Sequence, residues 1–158
     1  MAAIVVGMAD MKACRSPETL TTLGLGSCVG ICLYDRITKI SGMAHIMLPS
    51  LNGYAGQSRA KFADSAIVDL VAQMTRMGAN RASLVAKLAG GAHMFTGSAN
   101  NILKVGERNV EASLRALAEL RIPVQANDTG GSYGRTIELF SETGLLKIRT
   151  VGAGEKIL

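Results

Sequence analysis

The chain has 158 residues, 48 % of them hydrophobic and 18 % charged, which is enough to bury one core and too apolar to stay disordered. A formal net charge of +5 is spread over scattered Lys and Arg with no aromatic interleaving, which excludes a nucleic-acid-binding tract and favours acidic protein surfaces as partners. No apolar run reaches the roughly eighteen residues of a bilayer span, MAAIVVGMAD lacks a cationic leader, and the three cysteines have no scaffold spacing; a cytoplasmic protein, not membrane-inserted, is expected.

In chain order, Ala3 to Val6 predicts a first strand and Thr21 to Leu25 a short second one. VGICLY (29–34) and ISGMAHIML (40–48) predict two strands joined by the turn Asp35-Arg36-Ile37-Thr38. A polar, Gly-rich loop follows at 49–58. Apolar residues then recur at helical spacing from Phe62 to Met77, with Gly78 where a C-terminal cap belongs. Ser83 to Ala89 predicts a buried strand ending in Gly90-Gly91. A second helix runs from about Gly106 to Leu120, with Val110, Leu114, Leu117 and Leu120 as its apolar face. Strands near 124–127, 136–141 and 145–151 complete the chain, the last two joined by the hairpin turn Glu142-Thr143-Gly144. The expected fold is one α+β domain over residues 1–158, with a mainly antiparallel, layered β core and two main helices.

The chemistry is concentrated in TLGLGSCVG (22–30), where small residues crowd around one thiol. With Asp35 to Thr38 as a four-residue loop, Tyr34 pairs with Lys39 and Cys28 stands opposite His45. Opposed Cβ atoms lie roughly 4.5 to 5.5 Å apart, so thiol and imidazole are expected to touch and form a thiolate–imidazolium pair, with the thiol titrating below its ordinary value. A structural cysteine and a merely hydrogen-bonded histidine are the plain alternatives. Metal binding fits less well: Cys28 and Cys32 on one strand are roughly 13 Å apart at about 3.3 Å per residue. Thr22, on the strand entering the glycine bend, is a candidate to orient the imidazole.

TLGLGSC, GMAHIMLP, AGGAHMF, VGERNVEA and NDTGG, in this order and over nearly the whole chain, resemble the successive motifs of the CheD family of chemoreceptor glutamine deamidases. The resemblance implies a fold similar to the catalytic domain of the cytotoxic necrotizing factor toxins and a Cys-His-Thr triad. By motif, Cys28 is the nucleophile, His45 the base and Thr22 the orienting residue. It implies no cofactor and no metal. It also implies chemoreceptor methylation helices as substrate, with the CheY-phosphate phosphatase CheC as a possible partner; a non-catalytic activator of CheC is the alternative function. Backbone N–H groups near Gly26 and Ser27 are expected to hold the oxyanion, since no Cβ there blocks the substrate from the backbone. His93 and Met43 are candidate substrate contacts, and Asp128 to Gly131 is expected to be a tight turn. Arg108 and Asn109 are expected to hold the loop before the second helix, and substrate choice is expected to lie in loops 50–60 and 97–104.

Overall fold

The computed structural model describes residues 3–54, 56–94, 104–150 and 152–158. Short apolar runs broken by glycine turns give ten strands among these residues: β1 (Ala3–Val5), β2 (Asp10–Arg15), β3 (Thr19–Leu25), β4 (Val29–Asp35), β5 (Ile40–Ile46), β6 (Leu84–Gly90), β7 (Val124–Thr129), β8 (Arg135–Phe140), β9 (Leu146–Thr150) and β10 (Gly154–Ile157). Two α-helices accompany them, α1 (Ala63–Arg76) and α2 (Val105–Glu119). The strands form two five-stranded sheets, ordered β1-β3-β8-β9-β10 and β2-β5-β4-β6-β7. Only the β1–β3 and β6–β7 pairs are parallel. The α+β class, the layered and mainly antiparallel β core and the two helices are those expected.

The second sheet lies in the middle. Ala66, Ile67, Leu70 and Met74 of α1 pack on one of its faces against Ile31, Leu33, Ile40, Ala44 and Ile46. A Cβ on Gly42 would lie 2.6 Å from Met74 Sδ and 2.8 Å from Leu70 Cδ1, so the bare backbone there lets the helix come down onto the strand. The opposite face meets the first sheet, with Cys32, Met43 and Ala89 packed against Leu20, Leu25, Ile137 and Leu139. Covered on both sides, every residue of β4 and β5 is buried, which is why both read as nearly continuous apolar runs.

The β4–β5 register differs from expectation by two residues. Asp35 pairs with Ile40, the loop is Arg36 to Lys39, and Gly30 rather than Cys28 stands opposite His45. The Asp35 carboxylate sets this loop by accepting from the Ile37 N–H at 2.9 Å and the Thr38 hydroxyl at 2.8 Å. Lys39 adopts a left-handed φ of 57° and donates its N–H to the Asp35 carbonyl at 2.8 Å. Because side chains alternate with period two, a two-residue shift changes every cross-strand neighbour yet leaves each residue on its expected face. Strands β2 and β10 were not legible: both lie at sheet edges, where DMKACR mixes charges with small residues and all four residues of β10 are exposed. Residues 49–54 and 56–58 form no helix or strand, as expected of this loop, and a short 3-10 turn follows at Arg59–Lys61. Residues 97–103, expected to influence substrate choice, lie outside the described residues.

Gly90 closes β6 with φ +111°, and a Cβ there would collide with the carbonyl oxygen of Cys28. Gly90→Ala should therefore lower the free energy of unfolding by about 3 kcal/mol, from backbone strain plus overpacking against main chain. Urea denaturation measures this, and an unchanged midpoint would contradict the close approach.

Candidate active site

Gly26, Ser27 and Cys28 form a bend between β3 and β4. A bend has no ladder to satisfy its carbonyls, and all three are held from outside. The Ala92 N–H donates to the Gly26 carbonyl at 2.8 Å, and the Gly91 N–H to the Cys28 carbonyl at 2.8 Å. The Asn109 side-chain amide donates to the Ser27 carbonyl at 2.9 Å. Cys28 is thus fixed by its backbone while its side chain remains half-buried, at the mouth of a cleft of about 600 Å3 lined by Met8, Gly26, Met47, His93 and Met94 among others.

His45 lies on β5, 1 % exposed, two residues along the hairpin from the level of Cys28. Its ring faces the first sheet, where the Thr22 hydroxyl of β3 meets Nδ1 at 2.7 Å. The same hydroxyl donates its single proton to the Val6 carbonyl at 2.6 Å. Thr22 can therefore only accept from the ring, so Nδ1 carries the hydrogen and Nε2 keeps its lone pair. That Nε2 is buried and has no hydrogen-bond partner among the described residues. Thr22 and His45 thus meet across the two sheets, and Cys28 lies at the same end of the β4–β5 hairpin, two residues before the Gly30–His45 pair. The expected contact of thiol and imidazole is not made, since His45 Nε2 has no hydrogen bond to the sulfur.

Burial sets the charge state. It pushes the Cys28 thiol above its ordinary range, opposed in part by the residue's own backbone N–H, which faces the sulfur. It likewise holds His45 below the usual imidazole value. Both effects favour the uncharged forms, a thiol and an imidazole, over the expected ion pair. Cys32, fully enclosed, is pushed up to about 12 and is inert at ordinary pH. Cys14 is buried with its sulfur 3.2 Å from the Ser141 hydroxyl.

His93 stands exposed on the rim of the cleft, its N–H donating to the Gly131 carbonyl at 2.8 Å. It also borders a neighbouring cavity of about 390 Å3. Met43 does not reach the cleft: it is 0 % exposed in the core between the sheets. It shares the face of His45 as expected, but the first sheet covers that face. Asp128 and Thr129 are the last residues of β7, still paired with Ala89 and Gly90, and Gly130 and Gly131 follow with left-handed φ, so a strand end stands where a tight turn was expected. Asp128 and Gly130 hold the buried Arg135 guanidinium, which donates to Asp128 Oδ2 at 3.1 Å and the Gly130 carbonyl at 2.9 Å. Asn109, expected only to hold a loop, lies in the buried stripe of α2 with both amide protons used, the second on the Met47 carbonyl at 3.0 Å. The signal that could have found it is the spacing in VGERN: Gly106 and Asn109 are three residues apart and share one helix face.

Fold and site together define a class: an α+β domain that presents a half-buried cysteine in an open cleft, at the end of a hairpin carrying a buried histidine whose ring is fixed by a threonine hydroxyl. Residues 47–150 match the family model for CheD, chemotactic sensory transduction. Three proteins named as chemoreceptor glutamine deamidases extend the match over Thr22, Cys28 and His45. The one from Lachnoclostridium phytofermentans, named as probable, is 56 % identical over 97 % of this chain and 96 % of its own. That of Halalkalibacterium halodurans is 52 % identical over 97 % and 96 %, and that of Bacillus subtilis 46 % over 98 % and 95 %. The chain belongs to the CheD family. A solved structure, the hypothetical protein YfiH of Bacillus licheniformis, overlaps 76 % of this chain and 50 % of its own at 17 % identity and a TM-score of 0.49, too slight a likeness to bear on function.

With its value raised by burial, Cys28 forms thiolate only at alkaline pH. Its alkylation by iodoacetamide, followed by mass spectrometry, should still be accelerating as the pH passes about 8.5. A rate that levels off below neutral pH would contradict the neutral resting pair.

Proposed function

We propose that this chain deamidates glutamine side chains of chemoreceptors, with Cys28 as nucleophile, His45 as general base and Thr22 orienting the imidazole. The observation that carries this reading is the Thr22–His45 hydrogen bond, which leaves an unpartnered Nε2 lone pair at the hairpin end where the cleft exposes Cys28. The relatives' names supply the substrate class. The chemistry is that of an unactivated carboxamide, which calls for a nucleophile stronger than water and a proton for the departing nitrogen.

In this reading the Cys28 sulfur adds to the carboxamide carbon while its proton passes to His45 Nε2. The transfer accompanies attack because the resting pair is neutral. The tetrahedral intermediate places negative charge on the former amide oxygen, which the backbone N–H groups of Ser27 and Cys28 stabilise, with Gly26 leaving room for the approach. His45 then gives its proton to the nitrogen, the C–N bond breaks, and ammonia leaves a thioester on Cys28. Water, deprotonated by His45 Nε2, attacks the thioester carbon; the C–S bond breaks, the thiol recovers its proton, and the product is glutamate. Met8, Met47 and Met94 give the cleft an adaptable apolar lining suited to a helical surface from which glutamine projects. No helix among the described residues is long and apolar enough to cross a membrane, and this reading puts the protein in the cytoplasm, acting on the receptors' cytoplasmic helices.

The test is mass spectrometry of a receptor cytoplasmic fragment after incubation with the protein. The intact chain should convert particular glutamines to glutamate. Cys28→Ala should lower the rate by more than about a thousandfold. Thr22→Val, which keeps the shape but frees the ring, should cost roughly ten- to a hundredfold. Undiminished conversion by Cys28→Ala would overturn the nucleophile assignment.

A further inference from the structure

Beyond the triad, we propose that Asn109 is a positioning residue for the oxyanion donor: its side-chain amide holds the Ser27–Cys28 peptide so that the Cys28 N–H faces the reacting carboxamide oxygen. The inference rests on Cys28 being the nucleophile.

The geometry begins with a glycine. A Cβ on Gly106 would press into the Ala92 carbonyl and lie 2.6 Å from the Gly91 carbonyl, so the first turn of α2 sits directly on the segment that clips the cysteine bend. Gly91 yields in turn to Val110, which occupies the space its own Cβ would need. This mutual approach brings Asn109, one turn into the helix, within reach of the bend. Its Nδ2 donates to the Ser27 carbonyl at 2.9 Å. The Ser27–Cys28 bond is trans, so that carbonyl and the Cys28 N–H point in opposite directions within one rigid plane. Gripping the carbonyl from the helix side turns the N–H toward the cleft.

The second amide proton of Asn109 donates at 3.0 Å to the carbonyl of Met47, two residues beyond His45. One planar group thus ties the bend carrying the candidate nucleophile to the strand end carrying the candidate base. Its Oδ1 is buried without a partner among the described residues. An unmade hydrogen bond works against stability, which argues that placement of these two carbonyls, rather than net stabilisation, accounts for asparagine at this position.

Asn109→Ala, assayed on the receptor fragment, should lower kcat roughly a hundredfold, as loss of an oxyanion donor does, with KM changed by less than about threefold. Alkylation of its Cys28 by iodoacetamide should proceed at the wild-type rate, because displacement at a saturated carbon develops no oxyanion. An unchanged kcat, or alkylation falling in step with kcat, would overturn the proposal. Should Asn109→Ala fail to fold, the wild-type protein decides. A peptide carrying an aldehyde in place of the target carboxamide adds to Cys28: the S–C bond forms and the thiol proton moves to oxygen. In 15N-labelled protein that adduct should move the Cys28 amide proton and one Asn109 Nδ2 proton downfield together, since polarising the peptide strengthens both of its hydrogen bonds. If neither moves, or Cys28 alone does, the role of Asn109 is refuted. Deamidation by Cys28→Ala would instead remove the nucleophile reading on which this rests, an outcome distinct from an Asn109→Ala enzyme that stays fast yet Cys28-dependent.

Discussion

One hydrogen bond joins the two sheets at the point where the chemistry is proposed to occur. Thr22 belongs to the outer sheet, His45 to the middle one, and the 2.7 Å contact between them spans the layer boundary. The rest of the site depends on that boundary being tight. Gly30 stands opposite His45, and a Cβ there would lie 2.6 Å from Ile137 Cδ1 and 3.2 Å from Leu25 Cδ1. The missing side chain is what lets the outer sheet approach until a threonine hydroxyl reaches an imidazole. Because Val6 takes the hydroxyl's only proton, the contact also selects the tautomer. Packing and proton inventory therefore act together: a sheet-to-sheet distance becomes a lone pair at a defined atom.

The same economy governs the cysteine bend. Glycines that weaken a strand allow three carbonyls in succession to be gripped by Ala92, Asn109 and Gly91. The gripping segment is itself anchored: the Gly90 carbonyl accepts from the Gly130 N–H at 3.0 Å, and the buried Arg135 holds Gly130 and Asp128 with its guanidinium over the Tyr133 ring. The end of β7 thus connects to the cleft through main chain, two steps from Cys28. A rigid backbone around a half-buried thiol suits a reaction in which geometry rather than a standing charge must supply the acceleration.

Much of this was legible in the sequence, and the failures have physical reasons. Strong periodicity gave α1 and the buried strands, and the crowding of small residues around Cys28 marked the bend. The β4–β5 register differs by two residues because the Asp35 carboxylate caps a loop that a turn of the same length, placed one residue earlier, mimics in composition. Met43 reads as a candidate substrate contact because one strand pair does not reveal that another sheet covers its polar face; it is core instead. In α2 the apolar reading favoured Leu114, which is 38 % exposed, whereas the buried stripe runs through Gly106, Asn109 and Ser113. Hydrophobic spacing is blind to a helix whose buried face is partly polar. The charge state is illegible for a related reason: a thiol and an imidazole in register suggest an ion pair, while depth of burial, which favours the neutral forms, does not show in the sequence.

The central claim is that His45 is a neutral imidazole protonated on Nδ1, with Nε2 free to take a proton. The chain contains only two histidines, so 15N NMR of histidine-labelled protein, with His93→Gln to assign the spectrum, reads this atom by atom. The account predicts a His45 whose Nδ1 carries hydrogen and whose Nε2 shows the shift of an unprotonated ring nitrogen at neutral pH. Hydrogen on Nε2, or an imidazolium at that pH, would contradict it.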